Sequence, residues 1–428
     1  MADPLRLGIA GLGTVGAGVV KIVRQKADLL SARAGREVVI TAVSARSKSK
    51  DRGVNLDAYA WEDDPVKLAE RDDVDVFVEL MGGEDGPAKA ATEAAIKAGK
   101  DVVNANKAML AMHGQALAEL AEENDKLIRF EAAVAGGIPV IKALTEGLAG
   151  NTITRVMGVM NGSCNYILTR MQSAGLTYEE VFAEADGLGY LEADPQLDVG
   201  GIDAAHKLAI LSSIAFGTQV NFAGIALEGI ENVTIEDINH AADMGFKIKL
   251  LGSAQMTGRG LEQSMAPCLV PATSPLGQLD GGTNMIVLEG DHVGQIVLRG
   301  AGAGEGPTAS AVMSDVMDLA RDIRLPTFGQ PAATLAAAKT ANATAPAPYY
   351  LRMALHDKPG ALAKVATALG DAGVSIDRMR QYDHADAVAP VLIVTHTTSS
   401  EALVAALNAL PATGVVNGAP VALRIEQV

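Results

Sequence analysis

Cysteine is nearly missing from this chain: Cys164 and Cys268 are its two thiols among 428 residues. Two are too few for a disulfide framework, and neither stands in a CxxC or Cys/His metal spacing. The fold is therefore held by its core, and a reducing compartment, the cytoplasm, is expected. Aromatic residues are also scarce, at 4%, while Ala and Gly abound, a composition that suits tightly packed α/β layers. Positive charge is in deficit, with a net charge of −16, which argues against nucleic acid or an anionic membrane as a partner. The same deficit means that a polyanionic cofactor has to be met by local basic groups and helix N-termini. No apolar run reaches membrane-spanning length, and no basic and apolar signal layout precedes the first strand. What remains is a chain long enough for two or three domains, each with its own core.

The chemistry-bearing residues are concentrated in residues 186–207, DGLGYLEADPQLDVGGIDAAHK, where five carboxylates and a lysine fall within twenty-two positions. Gly187, Gly189, Pro195, Gly200 and Gly201 break any regular element before Ile202, so a loop is predicted whose backbone can approach a ligand closely. A helix is predicted from about Ile202, with Asp203 in its first turn and an apolar stripe along Ala204, Ala205, Leu208, Ala209 and Leu211. Asp203 and Lys207, four apart, share one face of it. Taken alone, such a pair reads as a solvated ion pair worth about 0–1 kcal/mol. Against that stands the setting, because an acidic glycine-rich loop running into an apolar helix makes a poor solvated face. A divalent-cation site is the third reading; the spacing fits no EF-hand, and the lysine would oppose the ion.

Residues 5–10 form a short apolar run, followed at once by Gly11-Leu12-Gly13-Thr14-Val15-Gly16 and a helical pattern over residues 19–30. Between a strand and a helix, GxGxxG predicts a dinucleotide site: the first Gly for the turn, the second for approach to a pyrophosphate, the third for helix–strand packing. The second strand, residues 38–43, runs into Ser44-Ala45-Arg46-Ser47-Lys48. An NAD site carries Asp or Glu there. With none present, Arg46 and Lys48 favour the 2′-phosphate of NADP(H), leaving NAD(H) open and a solvated basic loop as the plain alternative. The strand over residues 74–81 ends in Gly82-Gly83 and that over 101–104 leads into Ala105-Asn106-Lys107, so these residues are expected in the crevice beyond the strand ends. Lys107 opens a helix predicted over 108–124, where a cation is unfavourable without a compensating role. A second glycine-rich loop, residues 300–308 with Gly304 and Gly306, opens a helix over 309–323. Its N-terminus can face phosphate or nicotinamide, or the loop is a structural turn.

The run Gly189-Tyr190-Leu191-Glu192-Ala193-Asp194-Pro195, followed by Asp198, Gly201, Asp203 and Lys207, resembles the substrate signature of the homoserine dehydrogenases. The resemblance spans essentially the whole chain. It implies an α/β protein with an N-terminal Rossmann-type dinucleotide-binding domain (residues 1–135, rejoined at about 305–335) and an α+β catalytic and dimerisation domain (136–304). Within the latter, residues 248–256, 262–269, 284–290 and 295–299 alternate as strands of a mixed sheet. The alanine- and proline-rich residues 336–349 read as a linker. Residues 350–428 follow a βαββαβ order and, with the turn Asp357-Lys358-Pro359-Gly360, resemble an ACT domain.

By the same resemblance, Lys107 in the NANKA run matches a functional lysine of the family, NGSCNY (161–166) matches its interdomain segment, and Gly189 touches both substrate and cofactor. A monovalent cation, Na+ or K+, is implied on the backbone carbonyls of Val134, Gly136 and Ile138 with the carboxylate of Glu131, although Glu131 can equally cap the next helix, predicted over 140–148. No aspartate-kinase module precedes the dinucleotide motif, so a monofunctional enzyme is expected. The implied reaction is reversible hydride transfer between NADP(H) and C4 of L-aspartate 4-semialdehyde, giving L-homoserine. Two converging lysines suit an aldehyde that develops alkoxide charge. Lys207 is assigned as proton donor and acceptor, Lys107 as its partner on the carbonyl oxygen, Asp198 as an orienting group, and Glu192 with Asp203 as the seat of the substrate ammonium. Rival readings are a reductase of another small semialdehyde or oxo-acid, and a catalytically silent NADP(H)-responsive regulator. A homo-oligomer, dimer or tetramer, is expected. Threonine is the expected effector of the tail, and truncation near Thr340 is expected to spare activity while removing control.

Overall fold

In the computed structural model, which describes residues 2–191, 194–341, 344–382 and 388–427, the first apolar run is strand β1 (Leu5–Ala10). It is followed by β2 (Val38–Ser44), β3 (Ala60–Glu62), β4 (Val76–Glu79), β5 (Asp101–Asn104) and β6 (Ile128–Arg129). These pair in parallel in the order β3-β2-β1-β4-β5-β6. Val, Ile, Leu and Phe dominate β1, β2 and β4 because helices cover both faces of the sheet. The order reverses between β1 and β4, and a doubly wound sheet opens its crevice at that point.

GxGxxG spans the turn from β1 into the helix Thr14–Gln25. Gly11 has φ 97°, and a Cβ on it would lie 2.4 Å from the Leu80 carbonyl oxygen; one on Gly16 would lie 2.1 Å from the Gly11 carbonyl oxygen. Gly13 has nothing within 4 Å, so the helix N-terminus is left open to the crevice. The chain returns to this sheet late, through the helix Glu305–Ala320. Gly18 admits it, since a Cβ there would lie 2.9 Å from Ala309 Cβ. Ala309, Val312 and Val316 share one core with Leu7, Ile9 and Val19.

The remaining strands are β7 (Ile153–Val159), β8 (Ala226–Leu227), β9 (Phe246–Thr257), β10 (Gly260–Pro271), β11 (Thr283–Gly290), β12 (Gly294–Ala301), β13 (Tyr349–His356), β14 (Ile376–Gln381), β15 (Val388–Thr395) and β16 (Val416–Ile425). They form one sheet in the order β12-β11-β7-β9-β10-β16-β13-β15-β14, with β8 beside β10. The βαββαβ order of the tail is as the alternation predicts. Its sheet is nonetheless continuous with that of the preceding domain: β16 lies parallel to β10, pairing Cys268 with Arg424 and Leu269 with Ile425. Side chains reinforce the seam. Arg352 Nε donates to Asp237 Oδ1 at 2.5 Å, Tyr382 donates to Asp243 at 2.7 Å, and Arg155 pairs with Glu426.

Residues 336–349, expected as a linker, are pinned along most of their course. The Ala336 amide donates to Gly217 at 3.0 Å and its carbonyl accepts from Gln219 at 2.8 Å; Leu261 N donates to Lys339 at 2.8 Å and Ala341 N to Leu261 at 2.9 Å. Small residues with the look of a linker here let one backbone lie against another, at a point where a Cβ on Gly260 would come 2.4 Å from the Lys339 carbonyl oxygen. A chain ending at Thr340 therefore loses the partner of the β10 edge, and unpaired edges template aggregation. It is expected to melt at a lower temperature and to scatter light at concentrations where the intact chain does not; equal melting and a monodisperse truncated chain would contradict the seam.

Candidate active site

A cleft of about 620 Å³ opens where the carboxyl ends of β1, β4 and β5 meet the start of β11, the end of β12 and the helix Ile202–Phe216. Gly201 caps that helix in the left-handed region (φ 81°), and Asp203 stands in its first turn, where the helix dipole favours a carboxylate. Asp203 is 7% exposed. Its Oδ2 lies 2.6 Å from Lys207 Nζ one turn on, and its Oδ1 lies 2.8 Å from Lys107 Nζ, which arrives from the dinucleotide-binding side. Burial alone would raise this carboxyl, yet the charges and hydrogen bonds of Lys207 and Lys107 hold it well below the usual carboxylate range. Lys107 opens the helix Lys107–Glu123 behind the Asn106 cap, and Asp203 supplies the compensation that a cation there requires.

Lys207 Nζ also donates to the Met160 carbonyl at 2.9 Å, and Asn284 Nδ2 donates to the same carbonyl at 3.0 Å. Asn161 caps the helix Gly162–Ala174 with its Oδ1, while its Nδ2 donates to Asp198 at 2.8 Å and to Asp203 at 3.4 Å. Opposite, Gly82 and Gly304 line the cleft with Val15 and Thr308. Glu79 holds the β4 side of the wall: its Oε1 accepts from the Met81 amide at 2.6 Å and the Gly82 amide at 3.2 Å. The arrangement sets two ammonium groups and two carboxylates, Asp203 and Asp198, at the floor of a slot whose upper wall is a glycine-rich helix N-terminus. Such a slot can hold a nucleotide above a small polar molecule.

The model of the homoserine dehydrogenase family matches residues 139–317, that of its NAD-binding domain residues 11–131, and that of the ACT domain residues 349–412. A homoserine dehydrogenase of Neisseria gonorrhoeae is 42% identical over 433 residues, covering 99% of each chain. One of Pseudomonas aeruginosa is 40% identical over 437 residues, again with 99% of each chain covered. The chain belongs to the homoserine dehydrogenase family. It is an oxidoreductase acting on a CH–OH group with a pyridine nucleotide. The crystal structure of a homoserine dehydrogenase from Thiobacillus denitrificans superposes with a TM-score of 0.94 at 38% identity, covering 99% of this chain and 98% of that one. A hyperthermophilic archaeal homoserine dehydrogenase in complex with NADPH gives a TM-score of 0.65 at 27% identity, covering 75% of this chain and 99% of that one.

Of the residues singled out in the sequence, Val15, Gly82, Lys107, Gly136, Gly189, Asp198, Asp203, Lys207 and Gly304 line the cleft. Gly11, Gly13, Thr14 and Gly16 form the turn above it; Gly83 and Gly306 stand just outside the lining. Arg46 lies exposed beyond β2. Glu192 lies outside the described residues. Asp203, assigned with it to the substrate ammonium, has one oxygen on Lys207 and the other on Lys107. The unbroken loop expected before Ile202 contains a short helix, Pro195–Val199, because Asp194 caps it and Pro195 suits its first position. That helix delivers Asp198 to Asn161. Asn161, Asn284 and the Met160 carbonyl were not singled out in the sequence as site residues; single amides and backbone atoms leave no pattern, although an Asn between a strand and a helix is a cap signal.

Glu131, paired in the sequence reading with a cation, is 1% exposed, and its oxygens accept from the amides of Ile141 at 2.9 Å and Lys142 at 2.8 Å. It caps the next helix. Its backbone amide donates to Asp315 at 2.7 Å, and Lys142 spans Asp315 and Asp318. Burial, then the Asp315 charge, pushes the Glu131 carboxyl up to about 7; burial pushes Asp315 up to about 6 against the pull of Lys142. Acids whose folded pKa is raised favour the folded state at low pH, and that contribution is lost as pH rises from the ordinary carboxyl value, about 4, through the folded one. Asp315→Asn removes one such acid and relieves the other. Its stability relative to the unaltered chain should therefore improve as pH rises from about 5 to about 7.5, read from urea midpoints at the two pH values; a difference independent of pH would contradict the assignment.

Proposed function

We propose that the enzyme interconverts L-aspartate 4-semialdehyde and L-homoserine with NADP(H) as the preferred nucleotide, serving threonine, methionine and isoleucine biosynthesis from the cytoplasm. The observation that carries this reading is the meeting of Lys107 and Lys207 on opposite oxygens of Asp203, at 2.8 and 2.6 Å, within the cleft. The two lysines bring their donors to the floor of the cleft, where a carbonyl oxygen would become an alkoxide on accepting hydride. Lys207, held against the Met160 carbonyl, gives that oxygen its proton and takes it back in the reverse direction, and Lys107 polarises the carbonyl. Asp203 fixes the two ammonium groups rather than the substrate. The substrate ammonium then falls to Glu192, while Asn161 donates to Asp198 on the short helix Pro195–Val199.

The nucleotide supplies hydride at its nicotinamide when bound, and the chain supplies its seat. The open N-terminus after Gly13 suits the pyrophosphate. The absence of a carboxylate at the end of β2 suits a 2′-phosphate. Arg46 and Lys48 are free of burial there, and Arg52 donates from Nε to the Leu12 carbonyl at 3.1 Å, drawing its basic loop onto the glycine turn. The archaeal relative's NADPH complex supports the same choice. A monovalent cation is read onto the carbonyls of Val134, Gly136 and Ile138: Ala135 (φ 57°) and Gly136 (φ 54°) are both left-handed and turn successive carbonyls, while the Ile138 carbonyl also accepts from Val140 N at 2.8 Å. Glu131 is taken by the helix amides. The tail is read as a sensor for threonine, at a pocket of about 300 Å³ lined by His356, Asp357, Lys358, Gly360 and Ala361, in an enzyme assembled as a homo-oligomer.

The test is oxidation of NADPH, with NADH in parallel, on addition of L-aspartate 4-semialdehyde. NADPH should be the better reductant. Lys207→Ala should lower kcat by roughly 10²-fold or more with little change in nucleotide affinity. Near-normal turnover in that variant would remove the assignment.

A further inference from the structure

Lys249 lies on β9, outside the cleft lining, with its side chain 2% exposed. Its Nζ donates to Asn165 Oδ1 at 2.9 Å and to the Leu279 carbonyl. Asn165 turns its own amide to the same strip of chain, donating to the Gly281 carbonyl at 2.6 Å and the Leu279 carbonyl at 3.3 Å, and Gly281 N donates to Thr169 Oγ1 at 3.3 Å. Residues 279–282 are thus clamped between β9 and the helix Gly162–Ala174. Gly282 forms part of the cleft wall, so close to its neighbour that a Cβ on Gly162 would come 2.6 Å from the Gly282 carbonyl oxygen. Two residues on, Asn284 donates to the Met160 carbonyl, which also receives Lys207.

An ammonium buried among carbonyls is a poor choice for stability alone, because an apolar side chain of similar volume avoids its desolvation. Leu251, Leu276 and Leu279 already form an apolar cluster at this face of the sheet. What a lysine adds is three directed donors, which fix carbonyl positions as methylenes cannot. We propose that Lys249 is a positioning residue for the substrate side of the cleft: its ammonium sets residues 279–282 and, through Asn284, the Met160 carbonyl on which Lys207 rests. This rests on the reading of the cleft given above.

The charges facing Lys249 are few. Asp280 lies at 4.0 Å on the clamped strip, and Lys247 lies two residues back on its own strand. The helix presents neutral Asn165, and β10 presents the Cys268 thiol opposite in register, kept protonated by burial. Burial brings the Lys249 ammonium down to about 8, so the clamp loosens as pH rises through that value.

In Lys249→Met, kcat/KM for L-homoserine should fall by about 10-fold or more, while KM for NADP+ stays within about two-fold. Unchanged substrate kinetics, or equal losses on substrate and nucleotide, would overturn the inference. Asp280→Asn is the second arm, a change at a side chain 55% exposed. Removing that carboxylate should move the alkaline limb of kcat/KM for homoserine to lower pH by roughly half a unit; an unmoved limb overturns the clamp even where Lys249→Met does not fold. Loss in Lys207→Ala beside normal kinetics in both variants here sinks this inference alone. Substrate-selective loss in Lys249→Met with retained turnover in Lys207→Ala supports the clamp and removes the assignment of Lys207.

Discussion

A carboxylate buried at the floor of a cleft must be paired, and Asp203 is paired twice. An isolated charge at that depth is strongly disfavoured, and removal of one partner of a buried pair commonly costs about 3–5 kcal/mol. Lys207 comes from the same helix, one turn away, and Lys107 from a helix that begins at the end of β5 in the dinucleotide-binding sheet. The pairing therefore ties two domains together at the atoms proposed to do the chemistry. The left-handed Gly201 sets where the Asp203 helix starts, Asn106 sets where the Lys107 helix starts, and Asn284 donates to the Met160 carbonyl on which Lys207 rests. Gly201 and Asn106 each fix the position of one charge.

The second constraint is the shared sheet. Two paired positions between β10 and β16 are enough to make the tail an extension of the domain that carries Asp203. The buried Asp237, paired with Arg352 and capping a helix at the same time, fixes their relative placement. An effector on the tail would then act on strands continuous with those behind the cleft, and not across a flexible tether. The segment from β8 supports that view, since the Ile230 amide donates to the Val199 carbonyl at 2.9 Å, directly after Asp198.

Much of this was legible in the sequence. The glycine turn, the strand ends at Gly82 and Lys107, the Asp203 and Lys207 face, and the order of elements in the tail all follow from local patterns with known periods. The convergence of Lys107 on Asp203 was less so; the unfavourable start of the Lys107 helix hinted at a partner without naming it. The seam was hidden because it rests on two backbone pairings, and the linker misled because small residues serve a flexible tether and a close-packed strip equally well. Asn284 and Lys249 gave no signal, since each works through one or two hydrogen bonds to backbone or amide atoms, and Asn161 gave only that of a helix cap. Glu131 stood between two readings, a cation ligand and a cap of the next helix, and its oxygens accept from the amides of that helix.

The central claim is that Asp203 acts by holding Lys107, not as a separate contact to substrate. A double-mutant cycle of Lys107→Met and Asp203→Asn on kcat/KM for homoserine tests it most directly. Strong coupling is predicted: the double variant should be no worse than the poorer single variant, within a factor of about three, as expected of groups that act as a unit. Losses that multiply would contradict it and return Asp203 to the substrate.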